Sequence, residues 1–271
     1  MVVTPEELAT GWESDLPVGD TVIRRYLHHW AAACEAFAVA AGGRAVTTPA
    51  YAAADYRRPS GYFNSATLLQ PPAEGRWDEV VSAVEEFFAG GHGEALLWSA
   101  WPTPDLRPRG WRLEGHPPVL VRPPAAAVPP PAAPDVDVRV VSDTAGLRDW
   151  ELVAVEGYPM PELEPVVPGV LAAASLLDDH RLGFRVGFED DRAVSIGTSF
   201  VEHGLASLAL GVTRPEARRA GHWQRHAIER LWVAPELWTA GVFSDFSRPG
   251  AEQLGFVPLQ RLTLWALDRP T

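Results

Sequence analysis

The hydrophobic pattern predicts short strands that alternate with amphipathic helices. Strands are expected where apolar and polar residues alternate or form short apolar runs, and helices where apolar residues recur every three or four positions. In the second half of the chain this pattern predicts strands at residues 136–141, 182–188, 193–201, 204–212, 241–246 and 257–267, and helices at 145–156, 168–178, 216–233 and a short one ending at 254. The order β-α-α-β-β-β-α-β-α-β indicates an α/β protein built on a mixed sheet.

A segment rich in proline and alanine divides the chain. Residues 123–134 read PPAAAVPPPAAP. Proline lacks an N–H donor and has a fixed φ, so this segment can neither pair in a sheet nor continue a helix. We predict a semi-rigid linker between one domain of residues 1–122 and a second domain of residues 135–271. Each part is long enough to form its own core.

The two parts share an order of features. Gly110-Trp111 precedes a short strand near the end of the first part, and Gly255-Phe256 precedes another strand 145 residues later. In both parts an apolar run, an amphipathic helical segment and a further short strand precede this pair, in that order. The recurrence predicts a duplicated α/β unit.

Composition excludes several classes of function. The net charge is −12, which disfavours non-specific attraction to nucleic acid phosphates. All 23 basic residues are arginine. Without lysine the chain cannot form a Schiff base with pyridoxal phosphate, and it has neither the Walker A lysine nor the strand lysine of protein kinases.

The chain shows no sign of export or membrane insertion. Its single cysteine, Cys34, cannot form an internal disulfide, and the start MVVTPEELATGWESD has neither a basic region nor an apolar one. No apolar run approaches the roughly 18 residues that a membrane span needs. We therefore expect a cytoplasmic protein that binds no membrane.

The most informative segment joins a strand to a helix. It runs from Leu208 to Leu231 as LALGVTRPEARRAGHWQRHAIERL. The strand is expected to end at Val212, and Arg218-Arg219-Ala220-Gly221 to open the helix. Free N–H groups at a helix start attract anions, and arginines beside a glycine would strengthen a seat for phosphate. The alternative is a helix start with solvated arginines.

This segment resembles motif A of the GCN5-related N-acetyltransferases (GNAT). Val212, Pro215, Arg218 and Gly221 match that motif, and GVFSDFSRPGAEQLGF resembles the family's motif B about 34 residues later. The resemblance covers residues 135–271. The first part looks like a degenerate partner domain, so the resemblance implies two tandem GNAT-like domains, of α/β class with mixed sheets.

The resemblance also implies a site for acetyl-CoA, or another acyl-CoA, as co-substrate. Free backbone groups near Leu210 and Val212 would pair with the pantetheine arm. The turn into the helix would hold the pyrophosphate through backbone N–H groups; its residues are Arg218, Arg219, Ala220, Gly221, His222 and Trp223. The implied reaction moves the acyl group to a primary amine of a small molecule or peptide.

The sequence departs from the family pattern at three positions. Trp223 stands where motif A ends in glycine or alanine, where its bulk could crowd the pyrophosphate or fill the core. Ala251 replaces the tyrosine acid of many members, and Ser244 replaces the usual asparagine, beside Asp245. Asp245 could hold a cationic substrate or cap the following helix. Catalysis would then need other groups, or only proximity and polarisation by the backbone.

Candidate catalytic residues lie in the hairpin that enters the predicted open strand. Glu202 is the first choice for the base that receives the amine proton, His203 the second, and Ser244 is a further candidate. The alternative for Glu202 and His203 is a solvated turn. We expect burial beneath the first domain to raise the pKa of the Glu202 carboxyl.

His222 and His226 have a spacing that can bind zinc. No third ligand is evident nearby and the intervening Trp-Gln-Arg lacks a glutamate, so we expect no metal. The expected partner is a small-molecule amine, with a homodimer as a further possibility. Two competing interpretations are a non-catalytic GNAT-fold binding or regulatory protein, and a transferase that uses aminoacyl-tRNA, which the acidic charge disfavours.

Overall fold

The computed structural model describes residues 21–59, 61–124, 132–158 and 160–269. Its helices are α1 (Val22–Ala40), α2 (Trp77–Phe88), α3 (Thr144–Gly157), α4 (His222–Leu231) and α5 (Arg248–Gln253). Its strands are β1 (Arg44–Thr47), β2 (Tyr51–Asp55), β3 (Ser65–Leu68), β4 (Glu94–Ser99), β5 (Trp111–Gly115), β6 (Pro118–Arg122), β7 (Asp137–Val140), β8 (Leu182–Glu189), β9 (Arg192–Glu202), β10 (Leu205–Thr213), β11 (Trp238–Val242), β12 (Val257–Arg261) and β13 (Thr263–Asp268). Most of the predicted linker, residues 125–131, lies outside the described residues.

Two mixed sheets confirm the predicted fold class. The first has the order β1-β2-β3-β4-β13-β5 and the second the order β12-β6-β11-β10-β9-β8-β7. Each sheet contains one parallel pair, β3 with β4 in the first and β10 with β11 in the second, and its other pairs are antiparallel. The shared arrangement is that of a duplicated unit.

The two parts of the chain exchange one strand each. The strand β6 lies between β11 and β12 of the second sheet, and β13 lies between β4 and β5 of the first. The prediction of a single strand at 257–267 is therefore wrong, because the strand breaks at Leu262 between β12 and β13. There the Leu262 N–H donates to the carbonyl of Pro117, which lies between β5 and β6, at 3.0 Å. The buried side chain of Leu262 packs in a cluster that includes residues of both sheets. The predicted domain boundary at residue 122 stays a prediction. Each sheet, however, contains one strand from the other part of the chain.

Two predicted helices are shorter than the pattern indicates. The segment 216–233 begins as a 3-10 turn at Pro215–Ala217, and α4 starts only after Gly221, whose φ of 90° interrupts the helix. The segment 168–178 contains a 3-10 turn at Ala174–Asp178. Glu151 organises the chain before that turn, because its buried carboxylate accepts N–H groups of Gly169, Leu171 and Ala172.

The helices position the second sheet between two apolar clusters. On one side α3 packs through the fully buried Trp150 against Phe184 and Ile196. Against the same sheet, α4 and α5 form a separate cluster with Leu208 and Phe243. The helix α1 contacts strands of both sheets. Among the described helices none is long and apolar enough to cross a membrane.

Candidate functional site

The strands β10 and β11 diverge. They pair only from Leu205 to Ser207 of β10, opposite Trp238 to Ala240 of β11. Beyond this point β10 continues to Thr213 along β9, while β11 continues along β6. The edge of β10 at residues 208–213 is thus open toward β11, and we call this opening the cleft.

A β-bulge interrupts β10 within the cleft. The pairing register with β9 shifts between Ala209 and Val212, and Leu210 has a φ of 42°. As a result Leu208 packs in the α4–α5 cluster whereas Leu210, two residues later, packs in the α3 cluster. Of the two predicted pantetheine contacts, Leu210 lies in the bulge and Val212 resumes pairing with Ile196 of β9.

The loop between β10 and α4 offers a cationic surface. Arg218, Arg219 and Ala220 are exposed, and Arg219 and Gly221 have positive φ. Arg218 Nε donates to the Thr213 carbonyl at 3.2 Å. Within the described ranges neither arginine forms an ion pair with a carboxylate. Their charges remain free for an anion at the start of α4.

The structure turns the side chain of His222 away from this surface. His222 is 2% exposed; its Nδ1 is hydrogen-bonded to Ser195 Oγ at 2.9 Å and its Nε2 to Glu189 Oε1 at 2.9 Å. As the first residue of α4, His222 can offer an anion only its backbone N–H. Among the described residues no group of three histidine, cysteine, aspartate or glutamate side chains could hold a metal ion.

Aromatic rings lie on the β11 side of the cleft. The half-buried Trp223 packs between α4 and α5, with its ring 2.6 Å from where a Cβ on Gly250 would stand. A Cβ on Gly241 would lie 3.1 Å from the ring of Phe243 and 3.3 Å from the Leu208 carbonyl oxygen, at the point where β10 and β11 diverge. Nothing in the sequence indicates that Phe243 lies at the cleft, because an apolar residue is common at the end of any strand.

Tyr158 reaches the cleft from the end of α3. Its hydroxyl donates to the Gly211 carbonyl at 3.1 Å. Burial raises the pKa of Tyr158 to about 12, partly offset by the Arg230 charge, so the phenol keeps its proton at neutral pH. No motif marks this residue, because it comes from a different element than the one expected to supply a tyrosine.

Three basic side chains at four-residue intervals on α4 face the second sheet. They are His222, His226 and Arg230, and all are buried. Glycines on neighbouring strands make room for them: a Cβ on Gly187 would lie 3.0 Å from both imidazoles, and one on Gly197 would lie 3.0 Å from His226 and Arg230. Burial lowers the pKa of His226, and the Arg230 charge lowers it further.

Arg230 binds the two strands beneath the bulge. Its Nη1 donates to the carbonyls of Thr198 and Ala209, each at 3.0 Å, and its Nε donates to the His226 carbonyl. Burial lowers the pKa of Arg230 to about 9, which still leaves the guanidinium charged at neutral pH. No carboxylate of the described chain lies within ion-pair distance of it.

The structure places Glu202 and His203 outside the cleft. They form the β9–β10 hairpin, where His29 of α1 donates from Nδ1 to the Glu202 carbonyl at 3.0 Å. The Glu202 side chain is 35% exposed and 3.6 Å from Arg181, so it is not buried as expected. Leu205 lies opposite Glu202 in the β9–β10 pair, and three residues of strand, about 10 Å, separate Leu205 from Leu208. The catalytic role of both residues stays a prediction.

Ser244 and Asp245 lie in the exposed turn before α5. Ser244 Oγ is 3.1 Å from Ser247 Oγ. Ser247, not Asp245, stands at the N-cap position of α5, and its side chain makes no capping hydrogen bond. Asp245 is exposed, and a role in holding a cationic substrate stays a prediction.

Comparison with known proteins identifies the fold. No family model matches the chain, and no curated protein is significantly similar in sequence. A GCN5-related N-acetyltransferase from Kribbella flavida is 17% identical with a TM-score of 0.57, over 88% of this chain and 95% of that one. A conserved protein of unknown function from Staphylococcus epidermidis is 13% identical with a TM-score of 0.58, over 84% and 94%.

A third structure supports the same fold. A GCN5-related N-acetyltransferase from Sphaerobacter thermophilus is 12% identical with a TM-score of 0.52, over 82% of this chain and 78% of that one. Because these similarities extend over both sheets, the chain has the tandem GNAT fold. The fold implied by motifs A and B is thereby confirmed.

Proposed function

We propose that this protein binds acyl-CoA in the cleft of the second sheet and transfers the acyl group, in the first instance acetyl, to a primary amine. One observation carries the proposal. The open edge of β10 ends at an exposed loop with two arginines at the start of α4, Arg218 and Arg219, which form no ion pair within the described residues. An extended pantetheine arm fits the open edge, and a pyrophosphate fits the loop. The names of the Kribbella and Sphaerobacter structures support this class of reaction.

The equivalent place in the first sheet is less suited to an anion. There α2 connects β3 to its parallel partner β4, and its first turn carries Asp78 and Glu79. Its one arginine, Arg76, is already paired with Glu79. These two carboxylates would repel a pyrophosphate, so the proposed site is in the second sheet alone.

The proposed reaction forms a bond between the amine nitrogen and the thioester carbon and breaks the bond from carbon to sulfur. Alignment of the two reactants supplies much of the rate, and backbone N–H groups of the bulge stabilise the oxyanion. Tyr158, protonated and at the β10 edge, is our choice for the donor to the departing thiolate in the absence of a tyrosine at Ala251. The amine loses its proton to a base, for which Glu202 and His203 remain candidates, or to water.

A specific observation favours a second candidate function. The rings of Trp223 and Phe243 lie beside the cleft and contact Gly250 and Gly241. Rings that extend into the opening between β10 and β11 would exclude acyl-CoA. The protein would then be a non-catalytic GNAT-fold binding or regulatory protein.

Calorimetric titration with CoA, followed by turnover of acetyl-CoA with a panel of primary amines, separates these functions. We expect binding that weakens by tenfold or more in the double variant Arg218→Ala, Arg219→Ala, since two charges that face the pyrophosphate are lost. The matched control is Arg76→Ala in the first sheet, which should bind as the wild type does. CoA binding without turnover of any amine would favour the non-catalytic protein. Absence of CoA binding would contradict the proposal and direct the search to another acyl donor, aminoacyl-tRNA among them.

A further inference from the structure

We propose that Arg230 is a positioning residue for acyl transfer, which acts by directing and polarising the Leu210 N–H toward the thioester carbonyl. The inference rests on the proposed function of the cleft. It concerns a buried arginine on the far side of β10, which touches no part of the expected ligand.

The direction of the Leu210 N–H follows from the contacts of Arg230. One nitrogen, Nη1, bonds the carbonyl of Thr198 on β9 and that of Ala209 on β10, so it lies between these two strands. The Ala209 carbonyl therefore points to the β9 side. In a trans peptide the C=O and the following N–H point in opposite directions. The Leu210 N–H consequently points to the open side of β10, into the cleft.

The bulge makes this arrangement possible. Between Ala209 and Val212 the register with β9 shifts, so two residues of β10 face Gly197 on the partner strand. The absence of side chains at Gly197 and Gly211 leaves room for the guanidinium: a Cβ at either position would lie 3.0 or 3.1 Å from Arg230 atoms. The bulge thus makes room for the Arg230 guanidinium, and the guanidinium in turn binds the Ala209 carbonyl at the start of the bulge.

The charge of Arg230 strengthens the donor. A charged group bonded to a peptide carbonyl withdraws electrons from the peptide, which makes the N–H at its other end a better donor. The thioester oxygen gains negative charge only as the amine attacks. A stronger Leu210 N–H therefore stabilises the transition state more than bound acyl-CoA, and should raise kcat more than it changes KM.

The ionisable groups around Arg230 are paired or neutral, so none of them offsets its charge at the carbonyls of Thr198 and Ala209. Arg185 of β8 is paired with Glu229 of α4, which also binds Arg225. His226 is neutral because its pKa is lowered, and Tyr158 is neutral because its pKa is raised. A buried cation without a carboxylate partner lowers stability, and an apolar side chain of similar size would serve packing alone at less cost. The retained charge is what a role in polarisation requires.

The test compares Arg230→Met and Arg230→Lys with the control Arg185→Met, which removes a neighbouring charge that does not bond β10. We expect Arg230→Met to lower kcat by tenfold or more, with KM for acetyl-CoA and Kd for CoA within about threefold of wild type. In the ligand-free protein the Leu210 amide proton resonance should move upfield. Arg230→Lys, which keeps a charged donor, should recover part of both effects.

The outcomes separate this inference from the proposed function. If wild type binds no CoA, the proposed function fails, while the Leu210 resonance still decides whether Arg230 polarises this peptide. An unchanged kcat and Leu210 resonance in folded Arg230→Met would overturn the inference. So would a parallel loss of kcat and CoA affinity with all β10 amide resonances displaced, because Arg230 would then support structure alone. If Arg230→Met does not fold, the same comparison is made with Arg230→Gln, which keeps an N–H donor but removes the charge; an unchanged kcat and Leu210 resonance in that variant would overturn the inference.

Discussion

Tyr158 donates its hydroxyl to the Gly211 carbonyl at 3.1 Å and so joins the end of α3 to the open edge of β10. The bond places a protonated phenol beside the segment along which acyl-CoA is proposed to lie. It also explains how this chain could supply an acid although Ala251 occupies the position where many GNAT proteins have tyrosine.

Removing this hydroxyl should slow the proposed reaction. Tyr158→Phe leaves the ring in place and deletes only the proton donor, so we expect kcat with acetyl-CoA to fall by about 10²-fold, with CoA affinity nearly unchanged. Steady-state kinetics and CoA titration measure the two effects. A kcat within threefold of wild type would exclude Tyr158 as the acid.

Glu202→Gln tests the candidate base at the hairpin. The carboxylate is partly exposed, paired with Arg181 and about 10 Å along the strands from the start of the cleft. We therefore expect turnover within threefold of wild type. A loss of about 10²-fold, together with a shift of the acidic limb of the pH profile, would instead establish Glu202 as the base. His203→Ala is measured in parallel.

Trp223→Ala distinguishes packing from obstruction. The ring is half-buried between α4 and α5, so we expect its loss to lower the free energy of unfolding by about 2 kcal/mol and to change CoA affinity little. Denaturant titration and calorimetry give both numbers. The control is Trp232→Ala, which removes an exposed ring at the end of the same helix. A tenfold gain in CoA affinity without destabilisation would show that the ring obstructs the cleft.

His29 should make stability depend on pH. Burial lowers the pKa of His29 to about 4, against 6.5 for an ordinary histidine. The folded protein therefore excludes a proton that the unfolded chain accepts, and the contribution of His29 is complete above pH 6.5 and is lost as pH falls toward 4. The expected loss is about 3 kcal/mol.

Unfolding by denaturant at pH 7, 5.5 and 4 measures this dependence. His29→Asn, which retains a donor for the Glu202 carbonyl, should flatten the slope between pH 6.5 and 4. The exposed His92 serves as control, and His92→Asn should leave the slope unchanged. An unaltered slope in His29→Asn would mean that other groups cause the acid sensitivity.

The strand exchange predicts that the two halves cannot be separated. Residues 1–122 alone would lack β13 between β4 and β5, and residues 135–271 alone would lack β6 between β11 and β12. A single residue, Leu262, joins β12 to β13. This link is too short for the hairpin turn that would let β13 pair beside β12 in the second sheet.

A protease site introduced within residues 123–134 tests this prediction. After cleavage the two fragments should elute together in gel filtration and separate only in denaturant. Elution as two folded monomers would contradict the exchange. If the fragments remain together, CoA binding cannot be assigned by titrating isolated halves, and the Arg218 and Arg76 variants are the appropriate test.

Local pattern by itself determined most elements of the second sheet and the presence of α4, but not its start, which lies at His222 and not within residues 216–221. Gly221 and Pro215 lie where the strand, turn and helix of motif A require them, because turn and helix boundaries depend on residues close in sequence. The duplicated order was visible for the same reason. The open loop with Arg218 and Arg219 could be predicted from a run of seven residues.

Only the tertiary structure decided which strands pair and which side chains meet at the cleft. The strands β6 and β13 have patterns that suit either sheet, so their exchange depends on long-range pairing. Tyr158, Arg230 and Gly211 come from three elements and meet only because α3 and α4 pack against the bulge of β10. No local pattern carries that information, because the energy of such contacts depends on residues far apart in the chain.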